Sequence, residues 1–121
     1  ISEFQGLQWM LVDMNTRTAA AQGLIYQAAA SGGDSFPDPL LSAQAKIFAS
    51  EMAIAVTNDA LQIFGARGYS RNQPLERIVR DARMFTIGGG TAQILRTFAA
   101  SQILGRKLPQ TRDGFVDIER T

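Results

Sequence analysis

Three consecutive glycines, Gly88-Gly89-Gly90, open directly onto Thr91 and an apolar run in "MFTIGGGTAQILRTF", residues 84–98. Glycines ahead of a helix can bring backbone N–H groups up to a phosphate or a ligand carbonyl. The two standard phosphate arrangements do not fit. A Walker loop needs G-x-x-x-x-G-K-[ST] with its lysine, and here Thr91 follows Gly90 with no lysine nearby. A dinucleotide fingerprint follows a strand, whereas the segment before Gly88 has a helical pattern. Two readings stay open: a plain turn, or N–H groups at a helix start that meet an anion or a ligand carbonyl.

A second stretch, "QIFGARGYSRNQPLER", places Gln62 near a helix end, with Gly65, Arg67, Gly68 and Arg71 after it. It reads as a helix-end turn with solvated arginines, or as a contact to an anionic ligand or a partner subunit. Glu76 and Arg80 stand four residues apart in the orientation of a surface ion pair. Trp9 and Phe48 are expected in the core and not at a cofactor.

Histidine and cysteine are absent from the 121 residues. The commonest general base and metal ligand near neutral pH is therefore missing, as are disulfides and thiol chemistry. Acid–base work would fall to carboxylates, lysine or tyrosine, and no metal ligand set is named. The net charge of +1 gives no electrostatic case for nucleic acid or a membrane surface. No apolar stretch approaches a membrane span of about 20 residues. The chain begins at Ile1 and not at methionine, and we read it as a fragment.

The elements that position these residues are helical. Leu7, Leu11, Met14, Thr18, Ala21, Ile25 and Ala28 form one stripe of a long amphipathic helix over roughly residues 3–31. Gly32-Gly33 stops it. Asp38 then reads as an N-cap and Pro39 as the first helical residue. The helix it starts is apolar on two faces, Leu40, Ala43, Ile47, Ile54 and Leu61 on one, Phe48, Met52, Val56 and Ile63 on another. Such a helix belongs in the centre of a bundle. Gly65 ends it, and "ARGYSRNQ" reads as a polar loop. Pro74 starts a shorter helix, and a fourth runs from about Thr91 to Leu104. The fold class is all-α, an antiparallel up-and-down bundle of four helices. Residues 1–105 form the domain, incomplete at its N-terminus, and 106–121 a loosely held tail.

In order and spacing, "ISEFQGLQWMLVDM", "AKIFASEMAIAVTNDALQIFGARGY", "PLERIVRDAR" and "IGGGTAQILR" resemble the C-terminal helical domain of acyl-CoA dehydrogenases, over roughly residues 1–104. The resemblance implies an FAD enzyme of three domains, helical, β-barrel and helical, of which this is most of the last. It implies a dimer or homotetramer with the C-terminal helices at its centre. It further implies a soluble protein of the cytoplasm, or of the mitochondrial matrix in a eukaryote. The implied reaction is α,β-dehydrogenation of an acyl-CoA thioester in fatty acid or branched-chain acyl metabolism. A carboxylate takes the α-proton, FAD takes the β-hydride, and electron-transferring flavoprotein reoxidises the flavin.

By position, the resemblance assigns Phe4 and Gln5 to FAD. It assigns Gln62, Ile63, Phe64, Gly65 and Ala66 to the adenosine half of a neighbouring subunit's FAD, with Ala66 where the family has glycine. Thr91, Ala92 and Gln93 match a stretch touching the flavin nucleotide, and Gly90 matches the glycine beside the acyl chain. Many members carry the catalytic glutamate where this chain has Gly89, so no catalytic residue is named here. The base then lies on an earlier helix of the domain, as in the isovaleryl and long-chain branches, or the protein is a non-catalytic assembly or partner-binding homologue. This chain alone is expected to be inert. Gly88 and Gly89 replace bulky side chains, which implies a wider pocket and a preference for branched or bulky acyl groups.

Overall fold

A computed structural model describes residues 1–109. It has five helices: α1 (Gln5–Ala30), α2 (Pro39–Phe64), α3 (Ala66–Tyr69), α4 (Leu75–Met84) and α5 (Ala92–Leu104). Residues 110–121, most of the expected tail, lie outside the described residues.

Local chemistry sets the boundaries. The Asp38 side chain accepts a hydrogen bond from the Leu41 N–H at 2.8 Å, and Pro39 occupies the first helical position. Both satisfy or remove orphan donors of the first turn. The Ser31 hydroxyl donates to the Ala28 carbonyl and accepts from the Asp38 N–H, tying the end of α1 to the start of α2. Gly65, at φ +56°, ends α2. The structure adds one element to the sequence reading. Part of the expected polar loop is the single turn α3, with the Gly68 and Tyr69 N–H groups donating back to the Gly65 carbonyl. One turn is too short to leave a hydrophobic period.

Helix α2 is the hub. Helices α1, α4 and α5 each pack on it and not on one another, and α3 bridges α2 to α4. Ile25 lies by Ala45 and Ala49, and Thr18 by Met52, so α1 runs antiparallel to α2. Leu61 lies by Val79 at one end and Lys46 reaches Phe85 at the other, so α4 is also antiparallel to α2. Arg96 meets Glu51 beyond the Lys46 contacts to residues 88 and 90, so α5 runs along α2 in the same direction. The result is the expected up-and-down order.

Small residues fill the seams. The buried apolar residues are Ala21, Ala28, Ala43, Ala45, Ala82, Ala92 and Ala99, and no large side chain is fully buried among the described residues. Of the α1 stripe, Ala21 and Ala28 are buried and Leu7, Met14 and Thr18 half-buried, while Leu11 and Ile25 stay near half exposed. The core placement of Trp9 and Phe48 is corrected: they are 62% and 38% exposed. Trp9 lies two residues beyond Leu7, about 200° around the helix and off the face that meets α2. Phe48 edges an open groove with Leu24, Gln44, Ile47, Glu51 and Arg96.

Candidate functional site

The glycine loop is built by a residue that sequence reading did not single out. Lys46, from the first half of α2, sends its ammonium into the loop after α4. It donates to the carbonyls of Phe85, of Gly88 at 2.9 Å and of Gly90 at 3.2 Å. Phe85 is the C-cap of α4, so the charge also meets the negative end of that helix. The available signal was modest. Lys46 is the sole cation in a helix apolar on two faces.

Backbone bonds close the rest of the loop. The Ile87 and Gly88 N–H groups donate to the Met84 carbonyl, and the Ala92 N–H reaches back to the Thr86 carbonyl at 3.0 Å. Thr86 is buried, and its hydroxyl bonds to the Arg83 side chain and carbonyl. Gly89 and Gly90 sit at φ +67° and +89°, a region that costs an L-residue about 1–2 kcal/mol. The glycines are thus required by the backbone path. Thr91 caps α5, its hydroxyl oxygen accepting from the Ile94 N–H at 3.1 Å.

Of the trio Thr91, Ala92 and Gln93, Ala92 is buried, Thr91 half-buried and Gln93 exposed. Gly89 and Gly90 are exposed and carry no side chain, so the loop itself offers backbone there. Against the same stretch of α2 lies a groove of about 410 Å³, lined by Ile25, Ala45, Lys46, Ala49, Ser50, Ala53 and Phe85. Its one hydroxyl, on Ser50, is spent on the Ile47 carbonyl.

Arg96 grips Glu51 with two hydrogen bonds, 2.7 and 2.8 Å, fixing the first turns of α5 to α2. The hydrogen bond from Arg96, aided by its charge and opposed by partial burial, lowers the Glu51 pKa below its ordinary 4.5. The same hydrogen bond raises that of Arg96.

Phe4, Gln5 and the Gln62–Ala66 segment lie at the other end of α2 from Lys46. Continuing the antiparallel register of α1 on α2 brings Gln5 level with the end of α2. Phe4, Gln5, Gln62, Phe64, Gly65 and Ala66 are exposed and Ile63 is half-buried. Lys46 and Gln62 lie on one helix at a rise of 1.5 Å per residue, about 24 Å apart. The glycine loop and that end of α2 are therefore two surfaces, not one pocket. Arg67 and Arg71 are exposed and make no ion pair among the described residues. Arg71 borders a polar cleft with Leu61, Tyr69, Glu76, Val79 and Arg80. The expected Glu76–Arg80 pair is formed at 3.0 Å. No described helix is long and apolar enough to cross a membrane, and the described residues hold no group of three or more potential metal ligands.

The family described as "Acyl-CoA dehydrogenase, C-terminal domain" matches residues 1–104. The chain belongs to the acyl-CoA dehydrogenase family. This acyl-CoA dehydrogenase domain is 64% identical over 118 residues to 3-sulfinopropanoyl-CoA desulfinase of Variovorax paradoxus, covering 98% of this chain and 29% of that protein. It is 44% identical over 105 residues to a protein designated acyl-CoA dehydrogenase FadE25 of Mycobacterium tuberculosis, covering 86% and 27%. The solved butyryl-CoA dehydrogenase of Megasphaera elsdenii matches with a TM-score of 0.81 at 36% identity, over 85% of this chain and 27% of that one. The domain thus spans less than a third of the length of the relatives it matches.

Proposed function

We propose that this is the C-terminal domain of a flavoenzyme that removes the sulfinate group of 3-sulfinopropanoyl-CoA or a close analogue. One observation carries the reading: Gly89, the position at which the family resemblance implies a catalytic glutamate, is an exposed glycine in a loop whose residues 85–91 include no carboxylate. Among the described residues, the two charged groups that α2 brings to α4, α5 and the loop between them have other partners. Lys46 spends all three ammonium N–H bonds on loop carbonyls, and Glu51 is held by Arg96. The identity of 64% to a desulfinase, against 44% to FadE25, supports the same choice.

The chemistry tolerates the missing base. α,β-Dehydrogenation removes an α-proton and passes a hydride to an acceptor, and so needs a general base in place. Desulfination breaks the C3–S bond, and the carbon gains a proton. With water as co-reactant the balanced products are propanoyl-CoA and sulfite, and no external electron acceptor is consumed.

The residues present fit FAD. Phe4, Gln5 and Gln62–Ala66 offer exposed aromatic, amide and backbone groups, and Thr91 and Gln93 offer donors by the glycine loop. FAD, when bound, is the hydride acceptor of the dehydrogenation chemistry. The separation of the two surfaces accords with one meeting the FAD of its own subunit and the other a neighbour's. The exposed Trp9, Val12, Tyr26 and Phe64 support burial of this domain against other domains and copies, in a dimer or homotetramer.

The family relationship itself favours a second reading: a dehydrogenase whose base lies outside this chain, with electron-transferring flavoprotein as partner. Incubating the full-length protein with 3-sulfinopropanoyl-CoA and separating the thioesters tests the choice. Propanoyl-CoA and sulfite in equal amounts support desulfination. Unchanged substrate, with turnover of saturated acyl-CoA, supports the second reading.

A further inference from the structure

We propose that Lys46 is a positioning residue. Its ammonium takes the Gly88 and Gly90 carbonyls on one side of the glycine loop, and so turns the Gly89 and Thr91 N–H groups outward to meet an oxygen of the acyl group. The proposal rests on the acyl-CoA reading above.

The geometry follows from the peptide unit. An ammonium has three donors and no acceptor, and all three go to carbonyls of one loop: Phe85, Gly88 and Gly90. In a planar trans peptide the C=O of one residue and the N–H of the next point in opposite directions. With the Gly88 carbonyl facing Lys46, the Gly89 N–H faces away. With the Gly90 carbonyl facing Lys46, the Thr91 N–H faces away too. The two donors are two positions apart in the chain and point to the side opposite Lys46. Among the described residues, nothing accepts from the Gly89, Gly90 or Thr91 N–H groups, whereas Ile87, Gly88 and Ala92 donate back into the loop. Gly89 and Gly90 are exposed, so the backbone of the loop is within reach of a ligand.

The glycines and the lysine form one device. Positive φ at Gly89 and Gly90 lets alternate carbonyls fall on one side, and Lys46 fixes which side that is. A backbone donor set held in advance stabilises charge that develops on a ligand oxygen without reorganising. Lys46 itself touches no ligand atom in this scheme.

The test compares full-length, FAD-loaded protein with its Lys46→Met and Lys46→Arg variants. Met keeps an unbranched apolar stem and loses the donors, while Arg keeps charge and donors. The dissociation constants of propanoyl-CoA and of free CoA, which lacks the acyl oxygen, are measured for each, with amide hydrogen exchange of a peptide covering residues 85–93. Lys46→Met should weaken propanoyl-CoA by about tenfold or more with free CoA unchanged. It should also speed exchange in 85–93 but not elsewhere in α2, with Lys46→Arg falling between. Equal loss for both ligands, or unchanged exchange in Lys46→Met, overturns the proposal. If the wild type does not distinguish propanoyl-CoA from CoA, the acyl-CoA reading fails and the exchange arm alone decides the role of Lys46.

Discussion

The Lys46 Nζ lies 2.9 Å from the Gly88 carbonyl oxygen, although 42 positions separate the two residues in the chain. A helix apolar on two faces thereby holds the loop that we propose faces the acyl group. The glycines of that loop have a backbone reason as well as a chemical one.

Substituting the two exposed glycines should separate strain from packing. Gly89→Ala has open space around the new methyl and carries only the cost of positive φ, about 1–2 kcal/mol. At Gly90 the added atom would meet Leu95 Cδ2 at 3.3 Å, so Gly90→Ala should lose more. Denaturant unfolding of each variant measures the order. Equal stability of both variants with the wild type would mean that the loop does not hold these angles.

Thr91 should act as a helix cap independently of any ligand. Its hydroxyl is the acceptor for the Ile94 N–H, and removing such a cap costs about 1 kcal/mol. Thr91→Ala is expected to lose that amount in denaturant unfolding and Thr91→Ser to lose little. A Thr91→Ala protein as stable as the wild type would contradict the cap.

The bond between Glu51 and Arg96 should show in the pH dependence of stability. Its folded-state pKa is depressed below the ordinary 4.5, chiefly by the hydrogen bond from Arg96. A depressed carboxylate adds stability that is present above the unfolded-state value and is lost as pH falls through the folded one. Glu51→Gln should therefore lower Tm slightly at pH 7, and the difference should fade below pH 4.5. Both side chains are about half exposed, so salt should shrink the effect as well. A Tm difference that grew on acidification would contradict the assignment.

Much of this arrangement was legible in the sequence. Asp38-Pro39 and Gly65 marked helix ends by their own chemistry, and most of the stripe from Leu7 to Ala28 marked the more covered face of α1. The two-faced apolar pattern of α2 placed it at the centre. Trp9 was misplaced because hydrophobicity says that a side chain will be covered, not that this stretch of chain covers it. Lys46 was passed over because its partners are backbone carbonyls 39 to 44 residues away, and sequence pattern does not encode such contacts. Helix α3 escaped because a single turn after a glycine has no period.

The isolated 121-residue chain, mixed with FAD and acyl-CoA thioesters, should show no turnover, since the glycine loop carries no base. Measurable turnover by this chain alone would contradict that placement of the chemistry.

The most direct test of the central claim is the dependence of full-length protein on an electron acceptor. With 3-sulfinopropanoyl-CoA, sulfite should form at the same rate with and without an added artificial acceptor, and butyryl-CoA or isovaleryl-CoA should reduce that acceptor slowly or not at all. Acceptor-dependent oxidation of a saturated acyl-CoA, branched or linear, with no release of sulfite would contradict the account and place a working base elsewhere in the enzyme.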